Sequence, residues 1–462
     1  MPGTPGQWIH MVGIAGAGMS GIARVLVQRG FRVSGSDLQK NLTTQRLEEI
    51  GVKVVLGHSS SNICEGIDLL VVSSAIPADN EELVTAQQMN IPIIKRGQML
   101  AELVNNGRGI AVAGAHGKTT TTSMIFIILE ENELDPTFIV GGELKSSGLN
   151  AKLGSSDLSV VEADESDASF LDLRPFIAVV TNVEDDHLDY YKTRRNIEQA
   201  FAQFLTGVQK EGLAILNGED LCMTSICEHC PAQTIMYGEN SDCDYYFQGW
   251  KAEGIGSRFD MYYHGQCLGT VNLAVPGKHN ASNAVAAIAT AMELGIGFAE
   301  AARAILNFKG AKRRFHLIGT KNQITIVDDY AHHPTEIKAT LEAARGFQPE
   351  RLVVVFQPHR FTRTKSLGKQ LGEALATADL CIVTEIYAAG EVPIPEINGS
   401  IVAEAALRAG GNCIFLPGME EIATYLLENS QAHDLLITMG AGDIWRLGTT
   451  LLDRLPEPTE QG

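Results

Sequence analysis

Short apolar runs, each followed after a turn by a longer stretch with helical spacing, recur along nearly the whole chain. Residues 8–14 (WIHMVGI) read as a strand, 19–29 as a helix, and 31–35 and 69–72 as further strands. Such alternation is the signature of α/β architecture with a parallel sheet. The first unit runs to the turn cluster Asn105, Asn106 and Gly107. A second opens with a strand at 109–113, a Gly-rich turn and a helix over 119–130, and continues with strands at 158–162, 177–181 and 213–216. Residues 243–275 alternate short apolar and polar runs with aromatics, which predicts an antiparallel excursion, and a helix over 281–294 closes the unit. After the basic joint Lys312, Arg313 and Arg314 the alternation restarts, with strands at 324–328, 352–356, 380–384 and 435–438 and helices over 335–345 and 366–376. Three domains are expected, at 1–107, 108–312 and 313–462.

Length agrees, because 462 residues are about three times a typical domain. The formal net charge of −19 argues against nucleic-acid binding, so an anionic ligand must be held locally by backbone N–H groups, a few Lys or Arg, and metal ions. Met1–Gly6 carries no basic leader, and no apolar run reaches the roughly 18 residues of a membrane span. The expectation is a cytoplasmic protein without membrane insertion, a monomer or homodimer. Eight irregularly spaced cysteines fit a reducing compartment. Cys222, Cys227, His229 and Cys230, with Cys243 downstream, contain a zinc-like CxxC but no second pair, so free thiols are expected there.

Two glycine-rich turns follow strands. Gly16, Gly18 and Gly21 form GxGxxG, and Asp37 ends the next strand, which taken alone matches a dinucleotide fingerprint or a tight turn without ligand. Gly114, Ala115, His116, Gly117, Lys118, Thr119 and Thr120 (GAHGKTT) form a shortened phosphate loop, with Val112 where the strict motif has glycine. Lys118 would reach the β- and γ-phosphates and Thr119 a Mg²⁺ ion. Downstream, EADESD places Glu162, Asp164, Glu165 and Asp167 at a strand end. Glu162 there suits a Mg²⁺ ligand, whereas Asp164 and Asp167 read equally as a solvated loop. TNVEDDHLDYY brings Asn182 and His187 to another strand end, His187 being either a metal ligand or a packed histidine. The third unit holds DDYAHHPTE (328–336) and QPHRFTR (357–363), whose arginine forks suit carboxylate or phosphate.

In this order these motifs, with GKHNASNA (277–284), resemble the Mur ligase family from end to end. The pattern reads most like the branch that adds L-alanine to UDP-N-acetylmuramate in peptidoglycan synthesis; the branch that recycles muropeptides by attaching a tripeptide is the nearest alternative. The resemblance implies a Rossmann-like first domain that binds the UDP-sugar through Gly16, Gly18, Gly21 and Asp37, and a central P-loop ATPase-type domain. It implies ATP on the 114–120 loop with Asn280 and Asn283, and metal on Thr119, Glu162 and His187. Lys118, Glu162 and His187 would be catalytic, and a Rossmann-like third domain would bind the amino acid through Tyr330, His332, His359, Arg360 and Arg363. IEQAFAQFL (197–205) lacks the lysine that sister ligases carbamylate, as in the alanine-adding branch. Competing readings are an NAD-dependent oxidoreductase with an accessory phosphate loop and a nucleotide sensor without turnover. The first does not need GKTT backed by Glu162 and His187, and the second does not need the third-unit histidines and arginines.

Overall fold

The computed structural model describes residues 5–145 and 147–455, with the backbone alone at Asp189. It contains three α/β domains, each on its own sheet. In the first, β1 (Trp8–Val12), α1 (Ala17–Gln28), β2 (Arg32–Asp37), α2 (Leu42–Glu49), β3 (Lys53–Leu56), β4 (Leu69–Val72), α3 (Glu81–Gln88), β5 (Ile93–Lys95) and α4 (Arg96–Val104) follow in order. The sheet order is β3-β2-β1-β4-β5, all parallel, so the order reverses between β1 and β4. Ligands of open parallel sheets sit at that crevice, at the carboxyl ends of the strands. The Gly16–Gly18 turn lies there.

The middle domain runs through β6 (Arg108–Ala113), α5 (Lys118–Glu131), β7 (Thr137–Ile139), β8 (Ala151–Lys152), β9 (Leu158–Glu162) and β10 (Ile177–Val180). It continues through α6 (Leu188–Tyr191), α7 (Arg194–Thr206), β11 (Leu213–Asn217), α8 (Met223–Ile226) and β12 (Gln233–Gly238). Then come β13 (Tyr245–Glu253), β14 (Gly256–Tyr263), β15 (Gln266–Leu273), α9 (Lys278–Glu293) and α10 (Phe298–Ile305). Its ten strands are ordered β15-β14-β13-β12-β11-β10-β6-β9-β7-β8. Two residues separate β13 from its neighbour β14, a connection only antiparallel strands can make, so the excursion expected at 243–275 is present.

The third domain has β16 (His316–Lys321), β17 (Ile324–Asp329), α11 (Pro334–Arg345), β18 (Arg351–Phe356), α12 (Phe361–Leu375) and β19 (Leu380–Val383). It ends with α13 (Ser400–Arg408), β20 (Cys413–Phe415), α14 (Met419–Asn429), β21 (Asp434–Met439) and α15 (Trp445–Arg454). Its sheet is β16-β17-β21-β18-β19-β20, in which the edge strand β16 pairs antiparallel and the others pair parallel. Helix α12 starts at Phe361 rather than at 366, which moves Arg363 from the preceding turn into the first helical turn.

The chain divides into two compact units: one through Gly249 with Phe259–Val271 and Ser282–Phe308, the other comprising Trp250–Arg258, Asn272–Ala281 and the chain from Lys309. The first two sheets share a unit because they share a core: Ile22, Val25 and Leu26 of α1 belong to the same buried cluster as Ile139 and Ala151 of the middle domain. Polar bonds reinforce the join. Asn150 donates to Ala17 O and Ser20 Oγ, both at 3.0 Å, and Arg46 meets Glu143 at 2.8 Å. No described helix is long and apolar enough to cross a membrane.

Under the first sheet, Glu82 is fully buried. Burial opposes its ionisation, yet hydrogen bonds from His10, Asn62 and Ser36 hold the carboxyl down at about 2, against an ordinary 4.5. Because the folded value is the lower one, the stabilisation is complete above about pH 4.5 and is lost as pH falls toward 2. Glu82→Gln should therefore destabilise the fold by about 2–3 kcal/mol at pH 7. Urea unfolding between pH 7 and pH 3 should find the gap from the unsubstituted chain narrowing only in the acidic half; a pH-independent gap contradicts this account.

Candidate active site

The phosphate loop is a strand-to-helix turn whose shape is fixed by glycine. Gly117, the residue before α5, has φ 84°, and a Cβ there would stand 2.7 Å from Asn283 Oδ1. Gly114 has φ 137° and leaves no room for a Cβ against Thr181 Oγ1. Residues after β10 clamp the loop from below. Asn182 accepts from His116 N at 2.8 Å and returns a bond to His116 O at 3.0 Å, while its backbone O accepts from Ala115 N at 3.2 Å. Thr181 Oγ1 donates to His116 O at 2.5 Å.

Lys118 bends back over this loop. Its Nζ donates to Gly114 O, to Ala115 O at 3.2 Å and to Glu165 Oε1 at 2.8 Å. Burial works against the ammonium, but the carboxylates of Glu165 and Asp164 outweigh it and raise the lysine above its usual value. Glu165 is itself buried, its Oε2 has no partner, and desolvation pushes it up to about 7 despite Lys118. Tyr191 donates to Glu165 O at 2.6 Å and braces that turn.

Glu162, at the end of β9, accepts from Gly141 N at 2.9 Å and from the Thr119 hydroxyl. Burial raises its pKa, and its Oε1 has no partner. His187 has φ 56° and precedes α6; its Nε2 lies 3.7 Å from Glu165 Oε1 and 3.6 Å from Asp186 Oδ2. Lys118, Thr119, Glu162 and His187 are thus brought to one strand-end rim, as the motifs predict. Glu165, to which the motifs assign no role, turns out to be the hub. A buried, partnerless carboxylate oxygen beside a threonine hydroxyl is a donor set that fits a hard divalent cation.

In the first domain, Gly16 precedes α1, and Asp37 accepts from Ala15 N at 2.9 Å and Gln39 N at 3.3 Å. Asp37 therefore holds the glycine turn itself. Gly21 is buried in α1, where a Cβ would stand 3.2 Å from Ile139 Cγ2, so its smallness serves helix-to-sheet packing. A cavity of about 250 Å³ is lined by Gly16, Gly18, Ser74 and Arg96 from the first domain and by Gly141 and Glu162 from the middle one. Of the asparagines on α9, Asn283 meets the phosphate loop at Gly117, whereas Asn280 spends its amide on Pro276 O at 2.7 Å.

In the second unit the amino-acid candidates gather in part. Tyr330 and His332 have ring centroids 5.3 Å apart, and His332 and His359 are 6.0 Å apart. His332 Nδ1 lies 3.0 Å from Tyr330 O and 3.2 Å from Glu336. His359 stacks on Tyr387 at 5.7 Å. Desolvation, together with the charges of His332, Arg363 and Arg360, lowers His359 to about 3, so it is a neutral ring near pH 7. Arg363 is near enough to act on that ring, and Arg360 donates to Glu391 Oε1 at 2.6 Å. Asp328 and Asp329 are buried supports. Arg313 and Thr438 hold the first, and backbone N–H groups of Phe315 and Ala331 the second.

The cysteines are all free thiols, and among the described residues Cys222, Cys227 and Cys230 belong to no metal-holding group. Sequence motifs missed Arg96, Tyr387 and Glu391, because all three lie outside the stretches that the motifs span.

Family models cover almost the whole chain: a Mur ligase family catalytic domain at 8–108, a Mur ligase middle domain at 112–291 and a Mur ligase glutamate ligase domain at 313–442. The UDP-N-acetylmuramate–L-alanine ligase of Syntrophomonas wolfei is 60% identical over 98% of both chains, and that of Desulforamulus reducens 49% identical over 97% of this chain and 98% of its own. The crystal structure of the Thermotoga maritima UDP-N-acetylmuramate-alanine ligase superposes with TM-score 0.83 at 28% identity, covering 96% of this chain and 98% of the other. A murein peptide ligase from Psychrobacter arcticus follows at TM-score 0.74 and 26% identity, covering 97% and 99%. Two nucleotide-type loops, a lysine held in a carboxylate pocket and matches to all three domain models lead to one conclusion: the chain belongs to the Mur ligase family.

Proposed function

We propose that this chain is the ligase that joins L-alanine to UDP-N-acetylmuramate at the cost of ATP, giving UDP-N-acetylmuramoyl-L-alanine, ADP and phosphate in peptidoglycan synthesis. The observation that carries the reading is the shared cavity, where the glycine turn opening α1 and the strand-end Glu162 behind the phosphate loop face the same space. A sugar carboxylate anchored by its diphosphate on the first would reach ATP on the second. The domain boundaries are placed near residues 107 and 312.

A carboxylate is a poor electrophile. Its phosphorylation by ATP gives an acyl phosphate, which the alanine amine attacks with loss of phosphate. The N–H groups of the 114–120 loop and Lys118 hold the transferring phosphoryl group, with Asn283 buttressing the loop. Glu165 keeps the lysine charged and aimed. Thr119, Glu162 and His187 are the proposed holders of Mg²⁺, which when bound supplies countercharge for phosphate oxygens. Gly16 and Gly18 open the UDP-sugar site, Gly21 lets α1 pack closely against the middle domain behind it, and Asp37 fixes its turn. In the third domain, Tyr330, His332 and His359 form the walls of the amino-acid site, Arg363 takes the alanine carboxylate, and Arg360 is positioned through Glu391.

Phosphate release with ATP, Mg²⁺ and UDP-N-acetylmuramate tests the reading, comparing L-alanine, L-alanyl-γ-D-glutamyl-meso-diaminopimelate and no acceptor. Turnover should require L-alanine; preference for the tripeptide moves the chain to the muropeptide branch.

Lys118→Ala should lower kcat by about 10²–10³-fold, the usual weight of one charge-stabilising contact, while calorimetry still detects UDP-N-acetylmuramate binding. Near-normal turnover would remove the loop from the chemistry. Arg363→Lys keeps the charge and loses the fork, so KM for L-alanine should rise by about 1.5–3 kcal/mol in free-energy terms with kcat nearly unchanged. A rise confined to KM for ATP would place Arg363 on the phosphates.

A further inference from the structure

Arg96 belongs to none of the sequence motifs. It opens α4, and its guanidinium lies against the first turn of α1: a Cβ on Gly18 would stand 3.1 Å from Nη1 and 3.2 Å from Cδ. On its other side Nη2 donates to Asp164 Oδ2 at 2.9 Å and to Ser169 Oγ at 3.4 Å, with Asp167 Oδ2 at 3.8 Å. The side chain is only 14% exposed, and it lines the cavity shared by Gly16, Gly18, Glu162 and Asp164. Asp164 also lies within electrostatic reach of Lys118. One half-buried carboxylate thus stands between a cation at the glycine turn and the cation of the phosphate loop.

Resting on the ligase reading, we infer that Arg96 binds the diphosphate of the nucleotide sugar and that Asp164 is a positioning residue which competes for it, so that arrival of the sugar is felt at the ATP loop. A planar guanidinium beside a helix N-terminus is suited to a diphosphate, because both present N–H groups to the same oxygens. The incoming anion cannot share Arg96 with Asp164 without like-charge repulsion. Arg96 therefore turns from the carboxylate toward the diphosphate, which leaves the charge of Asp164 to Lys118. The acidic loop keeps its shape through this exchange, since Asp164 Oδ1 is bonded separately to Ser166 N at 3.1 Å. In the absence of the sugar, Asp164 holds the arginine ordered at the cavity wall.

A double-mutant cycle tests this by calorimetry of UDP-N-acetylmuramate on the full chain without nucleotide. The variants are R96K, D164N and the pair together, each checked by thermal unfolding. The amide oxygen introduced by D164N still accepts from Ser166 N, so this variant should fold even where R96K does not. R96K should bind about tenfold or more weakly, the weight of a charged hydrogen bond. D164N should bind several-fold more tightly than the unsubstituted chain, and that gain should vanish in the R96K background. Affinity unchanged or reduced in D164N, a gain that persists without Arg96, or R96K binding as well as the unsubstituted chain would each overturn the inference. Failure of the unsubstituted chain to bind the nucleotide sugar would instead overturn the ligase reading.

Discussion

Burying an ammonium group is costly unless a carboxylate goes with it, and the middle domain is arranged around that constraint at Lys118. Glu165 at 2.8 Å, together with Asp164, favours the charged amine, and Tyr191 braces the EADESD turn that carries Glu165. The lysine's other contacts are carbonyls of its own loop, whose conformation depends on positive φ at Gly114 and Gly117 and on the clamp from Thr181 and Asn182. The ends of β6, β9 and β10 and the start of α5 are therefore tied to a single charge. A substitution at any of these points reaches Lys118 without touching it.

The third domain uses the same strand-to-helix geometry with the opposite electrostatic choice. There the central group is a neutral ring: His359 is stripped of its proton by burial and by neighbouring cations, and stacks on Tyr387. The positive charge beside it comes from Arg360 and Arg363 at the start of α12, with Arg360 donating to Glu391. On the ligase reading we propose, a neutral aromatic ring would discriminate by shape, and a guanidinium fork at a helix start would take the carboxylate of a small amphoteric ligand.

Most of the architecture was legible because buried parallel strands are long apolar runs. The strand read at 158–162 is β9, Leu158–Glu162, and the glycine turns lie where the following helices begin. In the first domain, β3 and β5 leave little mark on the sequence because they are four and three residues long and only half buried. The first five residues of α12 carry no helical signal in the sequence, since FTRTKS is polar and β-branched without an apolar stripe; the fold supplies its register through Arg360 and Tyr387. Which residues share the strand-end rim was legible by residue type, but the wiring between them was not. Glu165 is indistinguishable from its acidic neighbours until burial is known, and Arg96 meets Asp164 across 68 positions of sequence. Asp37 shows the reverse: its position was evident, yet the bonds it makes are to the turn's own backbone.

The core shared by α1 and the strands β7 and β8 has a consequence for the newly made polypeptide. The apolar face of α1 is complete once the first thirty or so residues have left the ribosome, yet its cover includes Ile139 and Ala151. At roughly 5–20 residues per second, that face waits for seconds or longer before its partner strands are synthesised. During that interval the nascent first domain presents Ile22 and its neighbours to whatever is nearby. Folding in the cell is thus exposed to capture by chaperones, or to association between neighbouring chains on a polysome, at a step that refolding of the finished protein never passes through.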